Sequence, residues 1–486
     1  IGMMKIINEV SEYFSKQLTI RDLYKYNTIN DLSEFLNSSN ESSKLNKESI
    51  SKIKKNDLNE YTTSPQQKRM YIHQIRYPES TSNNVTALLE MKGNIQRENL
   101  EESIRKVLQN HEIFQTVFMN HNEIKQKILP KESVNFSLET IYLNDPKTEV
   151  TNLIEPFKLS DLPLFRIYHL VSLLDASEYL FIDFHHIICD VTSMDIFVRE
   201  LITAYEGGEA DHFDTEYKDY AQWLDDHLLN TISYKNQENY WKKEFIDYTS
   251  YNNRERISER AQQREVIFEA EKYQKIKTFC QKNRITEHVF LNTMFALTLY
   301  YLEEQNDQII GNPVSGRVST SVDHVIGIFT NTIATRTRIT KEDSIIHLLK
   351  HTQSKMLDYL DNQDYQINDF VSEVRDKNGN RINISKIFAF QILPKIVISD
   401  GEFIDIPIKN IESNFELALV ASLIGEQLAF RIKYLISIYD ESDITLLFET
   451  FNSFIDESIK NPELKIYQLK EKFQKQETKE IAQFDF

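Results

Sequence analysis

The hydrophobic pattern predicts an α/β chain, of the α+β kind, behind a small all-helical unit. Three observations carry this. From Tyr61 onward, apolar side chains recur first at helical and then at strand spacing, in alternation. A polar stretch at 249–265 interrupts that alternation and marks a junction between two lobes. Ahead of Tyr61, residues 37–58 hold Ser, Asn, Lys and Glu with few large apolar side chains. Such a composition cannot bury enough surface to fold alone and reads as a linker.

Taken in order, Ile1, Met4, Ile7, Val10 and Phe14 lie three and four apart, the apolar face of an amphipathic helix. Residues 19–26 read as a short helical turn. Thr28 and Asp31 form a capping box before a last helix through Leu36. Beyond the linker, 85–92 reads as a strand and 97–110 as a helix with Leu100, Ile104 and Leu108 on one face. Strands at 163–171 and 178–186 lead to a helix over 193–206, stopped by Gly207-Gly208. The second half predicts helices at 287–303, 343–360 and 441–459. Strands are expected near 308–312, 328–338, 386–393, 415–421 and 427–434.

The 486 residues exceed one ordinary domain, and 41% hydrophobic and 11% aromatic side chains suffice for sizeable cores. Lys and Arg total 56 against 74 Asp and Glu, a net charge of −18. Phosphates and anionic lipids reward clustered cations, so neither nucleic acid nor membrane is expected as a partner. No apolar run approaches the roughly 18 residues that span a bilayer. Two cysteines, Cys189 and Cys280, fit a reducing cytosol, and no Cys/His cluster suggests zinc. The abundance of Lys, Ile and Asn fits an AT-rich bacterial genome. The opening Ile1-Gly2-Met3-Met4 is neither a start-codon product nor a signal peptide, which reads as a piece of something longer.

Chemistry concentrates in 178–206, EYLFIDFHHIICDVTSMDIFVRELITAYE. Alternation along the strand puts Ile182, Phe184 and His186 on one face and Phe181, Asp183 and His185 on the other. The two histidines therefore face different spaces, which makes shared metal ligation difficult. After the Ile187-Ile188-Cys189-Asp190 loop, Thr192 and Asp195 are expected to form a capping box opening the next helix. A histidine at a strand end commonly has a structural role. Two in a row, followed four residues later by Asp190, strengthen a chemical reading, because the Asp can orient the loop electrostatically, and strand ends commonly hold functional groups in such folds. No G-x-S-x-G, Walker loop or nucleotide fingerprint is present.

His185-His186-Ile187-Ile188-Cys189-Asp190-Val191 resembles the HHxxxDG signature of condensation domains of nonribosomal peptide synthetases. Other segments resemble that family's motifs in the family's order. They are Ser64-Pro65-Gln66-Gln67-Lys68-Arg69-Met70-Tyr71, the RHExLRTxF-like stretch from Asn110 to Phe118, and Tyr217 to Trp223, close to YxDYAxW. Gly311 to Arg317 resembles GxPxxGR, Ile326 to Thr332 IGxFxNT, and Asn362 to Tyr365 the QDY core of a sixth motif. Val191 stands where the signature has Gly, the sixth motif lacks its histidines, and Arg375 to Asn380 keeps the seventh only loosely. Residues 1–36 resemble the second half of a peptidyl carrier domain, and Glu480 to Phe486 a connector leading to an adenylation domain.

The resemblance implies two lobes like chloramphenicol acetyltransferase, set as a V around a tunnel. It divides the chain into carrier (1–36), linker (37–58), lobes at 59–248 and 249–470, and a connector (471–486). An upstream donor carrier and a downstream acceptor carrier would enter opposite ends, each bearing 4'-phosphopantetheine. The acceptor amine would attack the donor thioester to form an amide. His186 is the expected catalytic residue. His185 and Asp190 are expected supports, with Arg317 the partner of Asp190. Val191 would narrow the tunnel, with an ordinary negative φ. Alternatives of the same superfamily are an epimerisation domain and a degenerate scaffold. The carrier helix opening at Ile1 is expected to follow a serine bearing phosphopantetheine, whose arm would point towards His186.

Overall fold

A computed structural model describes residues 2–14, 18, 20–26, 28–38, 60–209, 215–250, 258–317, 320–393, 395–408 and 411–474. Ile1, most of the linker and 475–486, with the expected adenylation connector, lie outside them. Two large sheets, each backed by helices, form two lobes. The first sheet runs Ile396–Ile398, Gly401–Ile406, Asn84–Gly93, Glu178–His185, Phe165–Ser172, Glu139–Leu143. The second runs Asn331–Arg338, Asp307–Val314, Lys386–Leu393, Leu417–Ile424, Gln427–Leu435, Arg260–Phe268, Ile411–Glu412.

The apolar run at 179–186 forms a central strand because both its faces are covered. Leu180, Ile182 and Phe184 enter one core with the Arg97–Asn110 and Val191–Tyr205 helices. Tyr179 and Phe181 enter a smaller core on the other side with Leu88 and Leu170. Full burial of one such side chain contributes about 1.5–3 kcal/mol, so a one-residue slip, which exchanges the faces, would cost the strand its packing. In the second lobe the Glu287–Glu303 helix is apolar nearly all round. It is covered by its own sheet and by the Ala270–Asn283, Ile345–Asp361 and Glu441–Lys460 helices.

The polar stretch expected to separate the lobes is partly structured: Arg260–Phe268 is a strand of the second sheet. Its middle, Gln262-Gln263-Arg264-Glu265, is polar on both faces and only Ala261 and Phe268 are buried, so no apolar alternation marks the strand. Two segments of the second half also cross to the first lobe. Gly401–Ile406 pairs with Asn84–Gly93. After Asp307–Val314, the chain buries Val322, Val325, Ile326, Ile328 and Phe329 in the core of the first lobe. Gly316 starts that crossing at φ +63°, and a Cβ there would sit 2.0 Å from the Phe329 carbonyl oxygen.

The opening helices Gly2–Tyr13, Ile20–Lys25 and Ile29–Ser38 match the expected small unit. The Asp31 amide donates to Thr28 Oγ1 at 3.1 Å. Ile7 and Leu18 are buried against Leu357 and Leu360 of the second lobe, and Arg21 pairs with Asp358 and Asp361. Met4's side chain lies outside the described residues.

Gly327 tests the crossing. A Cβ on it would lie 1.9 Å from the Tyr217 ring. That ring is held by hydrogen bonds of its hydroxyl to Ser64 Oγ at 2.8 Å and the Ile328 carbonyl at 2.5 Å. Gly327→Ala is expected to destabilise by about 1–3 kcal/mol, the usual range for overpacking. Urea unfolding measures it, and an unchanged midpoint would contradict the packing.

Candidate active site

The Glu178–His185 strand and the Val191–Tyr205 helix are joined by a tight turn. His185 closes the strand and His186 falls on the turn, so the expected pleat alternation ends one residue earlier than the sequence suggested. The His185 backbone N–H donates to the Leu164 carbonyl at 3.0 Å and that of His186 to the Asn83 carbonyl at 2.8 Å. The helix opens differently from the expected Thr192–Asp195 box. Asp190 is the N-cap, with its carboxylate taking the Ser193 amide at 2.8 Å, and Val191 is the first helical residue. A carboxylate one position before the helix satisfies an otherwise orphaned amide directly, and this one is further committed to the second lobe.

Asp190 is buried. Its Oδ1 also lies 2.7 Å from Ser193 Oγ and 3.6 Å from Arg317 Nη2. Its Oδ2 accepts from the Phe329 amide at 3.0 Å and from the Thr330 amide and hydroxyl at 3.2 Å each. Arg317 donates to the Val322 carbonyl and, at 2.8 Å, to that of Val325. Its guanidinium lies 4.0 Å from the centre of the Phe329 ring. Ser193 Oγ accepts from the Gly327 amide at 3.0 Å and reaches the Gly327 carbonyl at 2.6 Å. Sequence reasoning missed Ser193, Phe329 and Thr330. Ser193, three residues after Asp190, was a legible capping signal; the backbone donors of 329–330 leave no side-chain signature.

The two histidines differ. His185 is fully buried: the Ile187 amide donates to its Nδ1 at 3.0 Å, and its Nε2 lies 3.2 Å from Gln74 Oε1. With Nδ1 accepting, the proton sits on Nε2 and the ring is neutral. Burial pushes its pKa down to about 3. His186 is half-buried. Its Nδ1 lies 2.6 Å from the Cys189 carbonyl, an acceptor only, so Nδ1 carries the proton and Nε2 keeps its lone pair. Burial first, then the nearby Arg69 charge, lower the His186 pKa, while Asp190 and the Cys189 carbonyl act in the opposite sense. Val191 is 54% exposed beside this turn and has no positive φ.

Among the described residues no cluster of His, Cys, Asp and Glu could hold a metal, and no helix is long and apolar enough to cross a membrane.

Residues 57–481 match the model of the condensation-domain family, and the chain belongs to that family. Residues 1–36 match the phosphopantetheine attachment site, so 4'-phosphopantetheine is the prosthetic group of the opening unit. The chain is 28% identical over 476 residues to surfactin synthase subunit 1 of Bacillus subtilis (strain 168), covering 94% of itself and 13% of that protein. It is 26% identical over 491 residues to bacitracin synthase 1 of Bacillus licheniformis, covering 96% of itself and 9% of that protein. The chain thus spans a small part of these synthases. The first condensation domain of the calcium-dependent antibiotic synthetase, in complex with a substrate analogue, superposes with a TM-score of 0.73. The identity is 17%, covering 84% of this chain and 98% of that one. A condensation domain from a Monacolin K polyketide synthase gives 0.72 at 16%, covering 84% and 99%. These likenesses show the shared two-lobed fold.

The state of His185 has a consequence for stability. The unfolded chain protonates an ordinary histidine near pH ~6.5, whereas the folded one resists until about 3. Below pH ~6.5 the unfolded state therefore binds more protons, and stability falls as pH falls through that window. His185→Gln is expected to flatten the slope between about pH 6.5 and 4 in urea unfolding series. An unaltered slope would contradict a neutral, buried His185.

Proposed function

We propose that this chain forms an amide bond between two carrier-bound acyl groups, with His186 as the catalytic residue. The observation that carries the reading is the His186 tautomer: Nδ1–H is spent on the Cys189 carbonyl at 2.6 Å, leaving Nε2 free to accept. Bound 4'-phosphopantetheine supplies the thiol on which each acyl group is carried as a thioester. A chain of amides and methylenes fits the exposed Val191 side chain beside the site. It also fits Gln66 Oε1, a buried acceptor without a hydrogen-bond partner. Those two residues would hold it.

The acceptor's α-amine, with an ordinary pKa near ~8, is mostly ammonium at neutral pH and attacks after giving up that proton to solvent, at a cost of only about tenfold. Its nitrogen attacks the donor carbonyl carbon, the C–S bond breaks, and the proton lost from nitrogen passes to His186 Nε2. From there it returns to the departing sulfur. The lowered His186 pKa keeps the ring in the accepting form at neutral pH. Holding the two reactants in register is the larger contribution, since oriented groups gain several kcal/mol over free ones. Asp190 and Arg317 fix the turn that aims His186, and His185 supports it from the opposite side of the strand.

In this reading residues 1–36 are a carrier, 37–58 a linker, 59–248 and 249–470 the lobes, and 471–486 a connector. The partners are an upstream donor carrier, a downstream acceptor carrier and an adjacent adenylation domain. The compartment is the cytosol, consistent with two free, buried cysteines, Cys189 and Cys280.

Single-turnover transfer between preloaded carriers tests the reading. His186→Ala is expected to lower the rate by at least ~10²-fold, the lower range for a positioned acid or base. A folded His186→Ala chain that transfers at the wild-type rate would remove His186 from the mechanism.

A further inference from the structure

The Pro65–Arg76 helix has a stripe formed by Gln66, Arg69 and His73, three and four residues apart and so on one face. Both ends of the stripe touch the walls of the candidate site. Gln66 Nε2 reaches the Phe329 carbonyl at 3.4 Å, next to the amides that bind Asp190. His73 Nδ1 lies 3.0 Å from the side chain of Asn83, whose carbonyl takes the His186 amide. Arg69 lies between them, and its charge is felt at His186.

Arg69 is half-buried, and among the described residues it has neither a hydrogen bond nor an ion pair. The other half-buried or buried arginines among the described residues all have partners: Arg264 reaches Thr445 Oγ1, Arg375 reaches the carbonyls of Ser372 and Val374, and others have carboxylates. Arg166 has Asp183, Arg317 has Asp190, Arg336 has Asp247 and Asp307, and Arg431 has Glu265 and Asp405. Half-buried beside the site and without an anion among the described residues, this guanidinium is placed to meet one that arrives during function. A cation close to His186 also disfavours the imidazolium. It therefore suits a site that needs neutral imidazole before attack and negative charge on oxygen during it.

We propose that Arg69 is a second catalytic residue, donating to the thioester carbonyl oxygen as that oxygen takes up negative charge. This rests on the amide-forming reading above. As the amine nitrogen bonds to the carbonyl carbon, the C=O π pair moves onto oxygen, where Arg69 holds it. As the pair returns, the C–S bond breaks and sulfur leaves, taking the proton that His186 had accepted. Preorganised donors at such an oxygen typically contribute on the order of 10²–10³-fold.

The groups that set the charge here are Asp190, Arg69 and His185 around His186, and His73 with Glu259, 3.5 Å apart, one turn beyond Arg69. The test compares Arg69→Gln and Arg69→Lys with the unmodified full chain. The readouts are the His186 pKa by imidazole nitrogen NMR, thermal melting, and single-turnover transfer between loaded carriers. Expected for Arg69→Gln is a transfer rate lower by on the order of 10²-fold at an unchanged melting temperature. The His186 pKa should rise, because a like charge has been removed. Arg69→Lys, which keeps the charge and loses the fork, is expected to fall between. A wild-type rate in folded Arg69→Gln overturns the proposal. So does a rate loss matched by a lower melting temperature with the His186 pKa unmoved. If His186→Ala still fails to transfer when Arg69→Gln does not, only the role of Arg69 falls. If both transfer normally, the role of His186 falls as well, while amide formation itself stands.

Discussion

Asp190 accepts hydrogen bonds from both sides of the seam between the lobes. On its own side it takes the Ser193 amide and lies within reach of the Ser193 hydroxyl. From the other it takes the Phe329 and Thr330 amides and the Thr330 hydroxyl. Arg317 neutralises it and at the same time ties down the carbonyls of Val322 and Val325. A buried carboxylate is tolerable only when so many donors converge on it. The consequence is that three things become one: the start of the Val191–Tyr205 helix, the turn carrying His186, and the segment through which the second lobe fills the core of the first.

That arrangement explains the division of labour in the signature. His185 belongs to the packing, held between Gln74 and the Ile187 amide. His186 belongs to the surface of the site, with one nitrogen fixed by the Cys189 carbonyl and the other free. Val191 is compatible with its place because the backbone there is an ordinary first helical turn and asks nothing that a β-branched residue cannot give. The free nitrogen of His186 and the guanidinium of Arg69, unpaired among the described residues, then complement each other in the proposed step: one accepts a proton, the other meets negative charge.

Much of this was legible in the sequence, for reasons that can be named. The central strand read correctly because a fully covered strand is a continuous apolar run, and the 97–110 and 287–303 helices because their spacing was unbroken. The Arg260–Phe268 strand was hidden by a polar middle that occupies both faces, and the pairing of Gly401–Ile406 with the first lobe by distance: nothing local says that a strand more than 300 residues downstream will close a sheet. The cap of the Val191–Tyr205 helix was placed two residues late, because Thr192 with Asp195 is a good local box, whereas Asp190 wins through contacts with residues 329 and 330. Local chemistry was readable; chemistry satisfied by distant backbone was not.

The central claim is that Asp190 holds the two lobes and the His186 turn together and takes no part in the reaction itself. Asp190→Asn, followed by thermal melting and by transfer between loaded carriers, tests it most directly. Replacing the carboxylate strands Arg317 and spoils the acceptor geometry. A loss of about 3–5 kcal/mol is therefore expected, the usual result of removing one partner of a buried ion pair, with activity falling in step. An unchanged melting temperature with transfer abolished would contradict it and make Asp190 a direct participant in the chemistry.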